Sequence, residues 1–125
     1  MNPTLLIVDD EKTQREGLRA ALEHRYDVYL AEDAKTATDL LERENFDVLL
    51  TDFRLPSEDG MKLIARAKSL AKPPVCILMT AYGSEELAVE AMKRAAPFAP
   101  IPESLKDLAN TPLRMQFTVS IGVRG

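Results

Sequence analysis

Short apolar runs alternate along this chain with longer segments in which apolar residues recur every three or four positions. The short runs predict buried strands at 5–8, 28–30, 48–50 and 75–79. The longer segments have the spacing of amphipathic helices, with apolar faces that include Leu18 and Leu22, Leu40 and Leu41, Leu63 and Ile64, and Leu87 and Ala91. This alternation predicts a doubly wound parallel sheet with helices on both faces.

Residues that favour caps and turns separate these elements. Asp33 is a predicted N-cap of the second helix, and Ser84 of the fourth. Pro56 and Gly60 are interpreted as turn residues that precede the third helix. His24 lies near the predicted end of the first helix, where we interpret it as an exposed residue without a catalytic role.

The last thirty residues follow a different pattern. Four of the eight prolines fall there, at positions 97, 100, 102 and 112. Because proline cannot donate a hydrogen bond to a sheet, we expect at most a poor fifth strand in this stretch. Strict alternation of apolar and polar residues over 115–123 then predicts a half-buried strand. Our hypothesis is that this strand pairs with an exposed sheet edge, within the chain or across a dimer.

Length and charge narrow the class of protein. At 125 residues the chain fits one compact domain, and its formal net charge of −4 gives no broad reason to bind nucleic acid directly. No apolar run is long enough to cross a bilayer, and Asp9 and Asp10 come too early for a signal peptide. The single cysteine, Cys76, cannot form a disulfide within the chain. We therefore expect a cytoplasmic location.

Oxygen-bearing side chains follow three of the predicted strands at their carboxyl ends. These are Asp9 and Asp10 after the first strand, Asp52 after the third and Thr80 after the fourth. With strand order 2-1-3-4-5, these three strands are direct neighbours, so the side chains meet at one rim of the sheet. Converging carboxylates repel one another, and Mg²⁺ would relieve that repulsion. One carboxylate could then act as a nucleophile toward a phosphoryl donor.

Three motifs resemble the receiver domains of two-component response regulators, most closely those of the nitrogen-regulatory, enhancer-binding activator class. They are Asp9-Asp10, Thr51-Asp52-Phe53-Arg54-Leu55-Pro56 followed by Gly60-Met61, and Met79-Thr80-Ala81-Tyr82-Gly83-Ser84. The resemblance covers roughly residues 4–96 and implies a flavodoxin-like fold. We accordingly divide the chain into a receiver domain at 1–110 and an atypical C-terminal β extension at 111–125.

The resemblance also implies a role for each motif residue. Asp52 would be the phosphoacceptor, and Thr80 the switch hydroxyl. Asp9, Asp10, Asp52 and the backbone carbonyl of Arg54 would hold Mg²⁺. A histidine kinase or a small phosphodonor would supply the phosphoryl group, and the protein would not be an enzyme acting on an external substrate. A surface around residues 81–96 would pass the signal on in the regulation of transcription. A homodimer could form through the 84–96 helix face or the C-terminal strand.

The likeness breaks after residue 96. Receivers carry an invariant lysine that ion-pairs with the phosphoryl group, and an alignment with one residue deleted near Arg94 puts Ile101 at that position. An alternative function is therefore a degenerate receiver that acts as a phosphorylation-independent interaction or dimerisation module. A second alternative is a phosphatase with an aspartate nucleophile. Such enzymes usually carry Asp-x-Asp, and Asp52-Phe53-Arg54 lacks the second aspartate.

Overall fold

The computed structural model describes residues 2–80 and 117–121, with the backbone alone for 79–80 and 117–121. Strands and helices alternate through the first eighty residues, and one further strand comes from the C-terminal segment. The elements are β1 (Thr4–Val8), α1 (Lys12–Leu22), β2 (Asp27–Ala31), α2 (Ala34–Arg43), β3 (Val48–Asp52), α3 (Gly60–Lys68), β4 (Val75–Thr80) and β5 (Phe117–Ile121).

The five strands form one sheet in the order β2-β1-β3-β4-β5. The first four strands pair in parallel, with Leu6 beside Tyr29 and beside Leu49 in the shared register. Their carboxyl ends therefore lie along one rim. The predicted doubly wound, flavodoxin-like class is confirmed.

The position next to β4 is taken by β5, which runs antiparallel to it, with Cys76 opposite Ile121 and Thr80 opposite Phe117. The alternating segment thus forms a strand within the chain, on the edge that β4 presents. The absence of proline after Pro112 leaves every backbone amide of β5 available for pairing. The proline-rich stretch at 97–102, where we predicted a poor fifth strand, lies outside the described residues.

Buried side chains cover both faces of the parallel strands. Along β1, Leu6 and Val8 join the core beneath α2 and α3, whereas Leu5 and Ile7 join the core beneath α1. All four side chains have no exposed surface. A strand that is apolar at successive positions is stable only when both of its faces are covered, which explains the continuous apolar run in the sequence.

Aspartates begin two of the helices. Asp33 Oδ1 accepts a hydrogen bond from the Thr36 amide at 2.7 Å, as the sequence predicted. Asp59 Oδ1 accepts one from the Lys62 amide at 3.0 Å, which fixes the start of α3. His24 is exposed in the turn that follows α1. Within the part of the chain that the structure describes, no helix has the length and apolar character needed to cross a bilayer.

The pairing of β5 with β4 predicts slow hydrogen exchange at alternate amides of residues 117–121, since a ladder hydrogen bond must open before exchange occurs. Hydrogen–deuterium exchange read by mass spectrometry measures this directly. Replacing Val119 with proline should make the whole segment exchange fast, whereas Val119→Thr should leave protection in place. Free-peptide exchange rates over 117–121 in the unmodified protein would contradict the pairing.

Candidate acidic site at the carboxyl rim of the sheet

The carboxyl rim brings together three aspartates that are far apart in sequence. Asp9 and Asp10 directly follow β1, and Asp52 is the last residue of β3, the neighbouring strand. One carboxylate oxygen from each of the three residues lies within 4.8 Å of the others. The predicted convergence of the three aspartates at this rim is therefore observed.

Asp9 is the most enclosed member of the cluster, with only 1% of its surface exposed. Its Oδ1 accepts a hydrogen bond from the Glu11 amide at 2.9 Å. Its Oδ2 is buried and has no hydrogen-bond partner among the described residues. Burial, reinforced by the negative charge of Asp10, raises the pKa of the Asp9 carboxyl above its ordinary value.

Backbone contacts hold Asp9 in this enclosed position. Its amide donates to the carbonyl of Ala31 at the end of β2, at 3.1 Å. Its own carbonyl accepts a hydrogen bond from Arg15 Nη1 at 2.8 Å. The guanidinium of Arg15 thus hydrogen-bonds to the main chain of Asp9, and its positive charge offsets only part of the rise in the pKa of the Asp9 carboxyl.

Asp52 is half-buried at the end of β3. Burial is the largest cause, and the negative charge of Asp9 the next, of a rise in the pKa of Asp52 to about 7. The amide of Arg54 donates to Asp52 Oδ1 at 3.4 Å, a long hydrogen bond that offsets only part of the cost. In the absence of a cation, a large share of Asp52 is therefore protonated near neutral pH.

These features fit a small divalent cation. Three carboxylates of like charge converge, and the one that is nearly inaccessible to solvent carries an oxygen with no hydrogen-bond donor among the described residues. A hard cation of the Mg²⁺ class prefers oxygen ligands and one or two carboxylates, with its remaining positions open to water or phosphate oxygens. The donor set at this rim matches that preference.

The other predicted site residues are placed less completely. Arg54 lies two residues beyond Asp52, and the role of its carbonyl stays a prediction. The backbone of Thr80 ends β4 at the same rim, one strand away from Asp52; its side chain, the 81–96 surface, Ser84 and Ile101 lie outside the described residues.

Gly60 has a function that its interpretation as a turn residue missed. Its amide donates to the carbonyl of Phe53 at 2.6 Å, which folds the β3–α3 loop back on itself. A Cβ atom at this position would lie 2.3 Å from the carbonyl oxygen of Asp52. Only glycine allows α3 to begin so close to the end of β3, and the sequence signal was a glycine directly after the aspartate that caps a helix.

Comparisons with known proteins agree with the fold and with the acidic cluster at the carboxyl rim. Residues 5–97 match the family described as response regulator receiver domain. The chain belongs to that family. The receiver domain is a signalling domain rather than a classical enzyme, and receivers are typically phosphorylated by histidine kinases. The phosphatase interpretation is accordingly set aside.

The curated relatives include transcription regulators. The chain is 38% identical over 116 residues to the response regulator protein PilR of Pseudomonas aeruginosa, covering 89% of this chain and 26% of that protein. It is 38% identical over 93 residues to the regulatory protein AtoC of Escherichia coli, covering 74% of this chain and 20% of that protein. The chain therefore spans about a quarter or less of these two relatives, which are enhancer-binding activators of the class that the motifs resemble.

Solved receiver structures share the fold. A CheY-like response regulator receiver domain protein from Methanospirillum hungatei is 28% identical, with a TM-score of 0.70 over 88% of this chain and 90% of that chain. The receiver domain of the Francisella response regulator 1452 is 29% identical, with a TM-score of 0.65 over 74% of this chain and 78% of that chain.

The carboxylate cluster predicts that Asp52→Asn stabilises this receiver domain when divalent cations are chelated. The raised pKa means that folded Asp52 keeps a proton that the unfolded chain has released between about pH 4 and 7, so stability falls as pH rises through this window. Neutralising the side chain removes that loss. We expect a gain on the order of 1–3 kcal/mol at pH 8 that disappears near pH 4, measured by urea unfolding in EDTA.

Asp39→Asn is the matched control, because it removes one negative charge from an exposed position on α2, outside the cluster. It should change stability by less than about 0.5 kcal/mol at either pH. Equal effects of the two substitutions, or destabilisation by Asp52→Asn at pH 8 in EDTA, would refute the account in which burial and repulsion raise the pKa of Asp52.

The close approach of Gly60 predicts a second effect. Gly60→Ala forces either the Asp52 carbonyl or the start of α3 to move, so we expect a loss of roughly 1–3 kcal/mol in unfolding free energy. It should also weaken the binding of a divalent cation, since the backbone of Asp52 is displaced. Ala65→Gly in the same helix should lower stability by about 1 kcal/mol and leave cation affinity unchanged. Unfolding free energy and calorimetric affinity together distinguish the two variants, and a Gly60→Ala protein of unaltered affinity would be the contrary result.

Proposed function

We propose that this receiver domain accepts a phosphoryl group on the carboxylate of Asp52, with Mg²⁺ held by Asp9, Asp10, Asp52 and the backbone carbonyl of Arg54. The observation that carries the proposal is the convergence of three carboxylate oxygens within 4.8 Å of one another. One of the three residues, Asp9, also has a buried oxygen for which residues 2–80 provide no hydrogen-bond donor. A solvated helix start would expose its carboxylates instead of burying one of them at 1% accessibility.

The reaction needs few groups from the protein. One oxygen of the Asp52 carboxylate attacks phosphorus, the bond from phosphorus to the donor breaks, and the donor leaves with the electron pair. When bound, Mg²⁺ neutralises charge on the phosphoryl and carboxylate oxygens. Asp9 and Asp10 would hold the cation, and the Arg54 amide donates to Oδ1 of Asp52, which orients the carboxylate.

The ionisation state of Asp52 decides whether it can react. A protonated carboxylic acid is a poor nucleophile, and in the cation-free protein the pKa of Asp52 is raised to about 7. Any positive charge bound beside it favours the ionised form. The carboxylates that would bind the cation also favour protonation of Asp52 when the cation is absent. Phosphorylation would therefore depend on the cation.

The output would follow from the change in charge at the rim. An aspartyl phosphate adds negative charge and acceptor oxygens, and we propose that the Thr80 hydroxyl donates to one of them. The surface around residues 81–96 would then change its packing and signal to an output domain that controls transcription. A cytoplasmic histidine kinase as phosphodonor, and a homodimer through the 84–96 helix face or the C-terminal strand, are part of the same proposal.

The test is the intact mass of the protein after incubation with acetyl phosphate and Mg²⁺. We expect one adduct of about 80 Da, which is lost on mild alkaline treatment as an acyl phosphate should be. The adduct should be absent from Asp52→Asn and from a sample in EDTA. Asp39→Asn, which has the same change in charge, should be modified like the unsubstituted protein.

Absence of the adduct in folded protein, with Mg²⁺ present, would overturn the phosphoacceptor proposal. That result would favour the alternative derived from Ile101, an interaction module whose fold is retained without phosphorylation. An adduct that persists in Asp52→Asn would instead show that another residue is modified.

A further inference from the structure

The loop between β3 and α3 is tied to the body of α3 by an ion pair. Glu58 Oε2 accepts a hydrogen bond from Arg66 Nη2 at 2.8 Å, and Glu58 Oε1 accepts one from Arg66 Nη1, so the pair is bidentate. The Glu58 side chain is 13% exposed and that of Arg66 49% exposed. A bidentate arginine–carboxylate pair fixes orientation as well as distance.

Arg66 is itself positioned from a second helix. Its Nη1 also donates to Thr38 Oγ1 at 3.4 Å, and the Thr38 hydroxyl donates to the Ala34 carbonyl on α2 at 2.7 Å. The guanidinium therefore joins α2, α3 and the loop. Neither Glu58 nor Arg66 is among the residues of the acidic cluster.

The backbone of the loop connects the ion pair of Glu58 and Arg66 to the carboxyl rim of the sheet. Arg54 and Asp59 form an isolated antiparallel bridge, and Asp59, next to Glu58, caps α3. Fixing Glu58 therefore fixes the partner of Arg54 across the loop. Arg54 in turn donates its amide to Asp52 Oδ1.

We infer that Glu58 and Arg66 are a positioning pair for the cation site, acting through the Arg54–Asp59 bridge on the backbone at Arg54 and on the carboxylate of Asp52. The inference rests on the proposed function, since it concerns the affinity of the same site for Mg²⁺. Neither side chain belongs to the residues that would hold the cation. Their effect is to reduce the number of loop conformations that must be given up when the cation binds.

The sign of one substitution separates positioning from electrostatics. Arg66→Gln removes a positive charge from the protein, so a purely electrostatic effect would strengthen the binding of Mg²⁺. Loss of the positioning pair should weaken it. The two explanations therefore predict opposite changes in affinity.

The experiment is isothermal titration of Mg²⁺ into the whole chain and its variants at one ionic strength. We expect Arg66→Gln to bind roughly fivefold more weakly than the unsubstituted protein, below the 10- to 100-fold range for partners that touch a ligand directly. Arg66→Lys, which keeps the charge but cannot form the bidentate pair, should recover only part of the affinity. Urea unfolding verifies that each variant is folded at the titration temperature.

Arg19→Gln is the matched control. Arg19 pairs with Glu16 on α1 at 2.7 Å, with side chains 47% and 41% exposed, and the substitution changes the net charge by the same amount. Its Mg²⁺ affinity should stay within about twofold of the unsubstituted protein. A double-mutant cycle of Glu58→Gln and Arg66→Gln tests the pair directly. The double variant should bind Mg²⁺ scarcely more weakly than Glu58→Gln alone.

Each outcome has a separate meaning. If the unsubstituted protein does not bind Mg²⁺, the proposed function fails and the inference fails with it. If the unsubstituted protein binds but Arg66→Gln binds equally or more tightly, only the positioning pair is refuted. Equal weakening in Arg66→Gln and Arg19→Gln would also refute it, since the effect would not depend on the loop.

Discussion

Burial of the carboxylates of Asp9 and Asp52 close to a third carboxylate, that of Asp10, is the constraint on which the arrangement of this domain depends. Burial is the larger cost in free energy and the approach of like charges the smaller one, and together they raise the pKa values of Asp9 and Asp52. The apolar strands that carry these residues are buried on both faces, so their packing can offset this cost. The fold thereby keeps a site that is poorly satisfied without a bound cation.

Much of the fold and the meeting of the three aspartates could be predicted from the sequence, because the carboxyl ends of parallel strands lie along one rim of the sheet. Continuous apolar runs identified β1, β3 and β4, and the carboxyl ends of neighbouring parallel strands necessarily meet. The contacts of the β3–α3 loop could not be foreseen. The approach of Gly60 to Asp52 and the pairing of Glu58 with Arg66 depend on loop geometry, which neither periodicity nor residue type encodes.

For the C-terminal segment as well, the sequence pattern predicted a strand but not its partner in the sheet. Alternation predicted a strand, but a pattern of period two contains no information about which edge accepts it or in which direction. In the structure, Asp52, Met79 and Thr118 occupy one row across β3, β4 and β5. The atypical strand therefore lies two strands from the proposed phosphoacceptor, beside the backbone of Thr80, at the sheet position for which the proline-rich stretch predicted at most a poor fifth strand.

The residues of the acidic site are held in place by parts of the fold that differ in rigidity. Asp9 and Asp52 are positioned by strands whose core side chains are at most 2% exposed, and moving them would disturb close packing. The loop that carries Arg54 is instead held in part by an ion pair whose arginine is 49% exposed, an interaction that contributes on the order of 1 kcal/mol. One added charge at Asp52 changes the electrostatic energy by about 4 kcal/mol when another charge lies about 4 Å away near the surface, which exceeds the energy of the ion pair and is small beside that of the core. Rearrangement should therefore begin in the loop, while the strands that bring the carboxylates together stay in place.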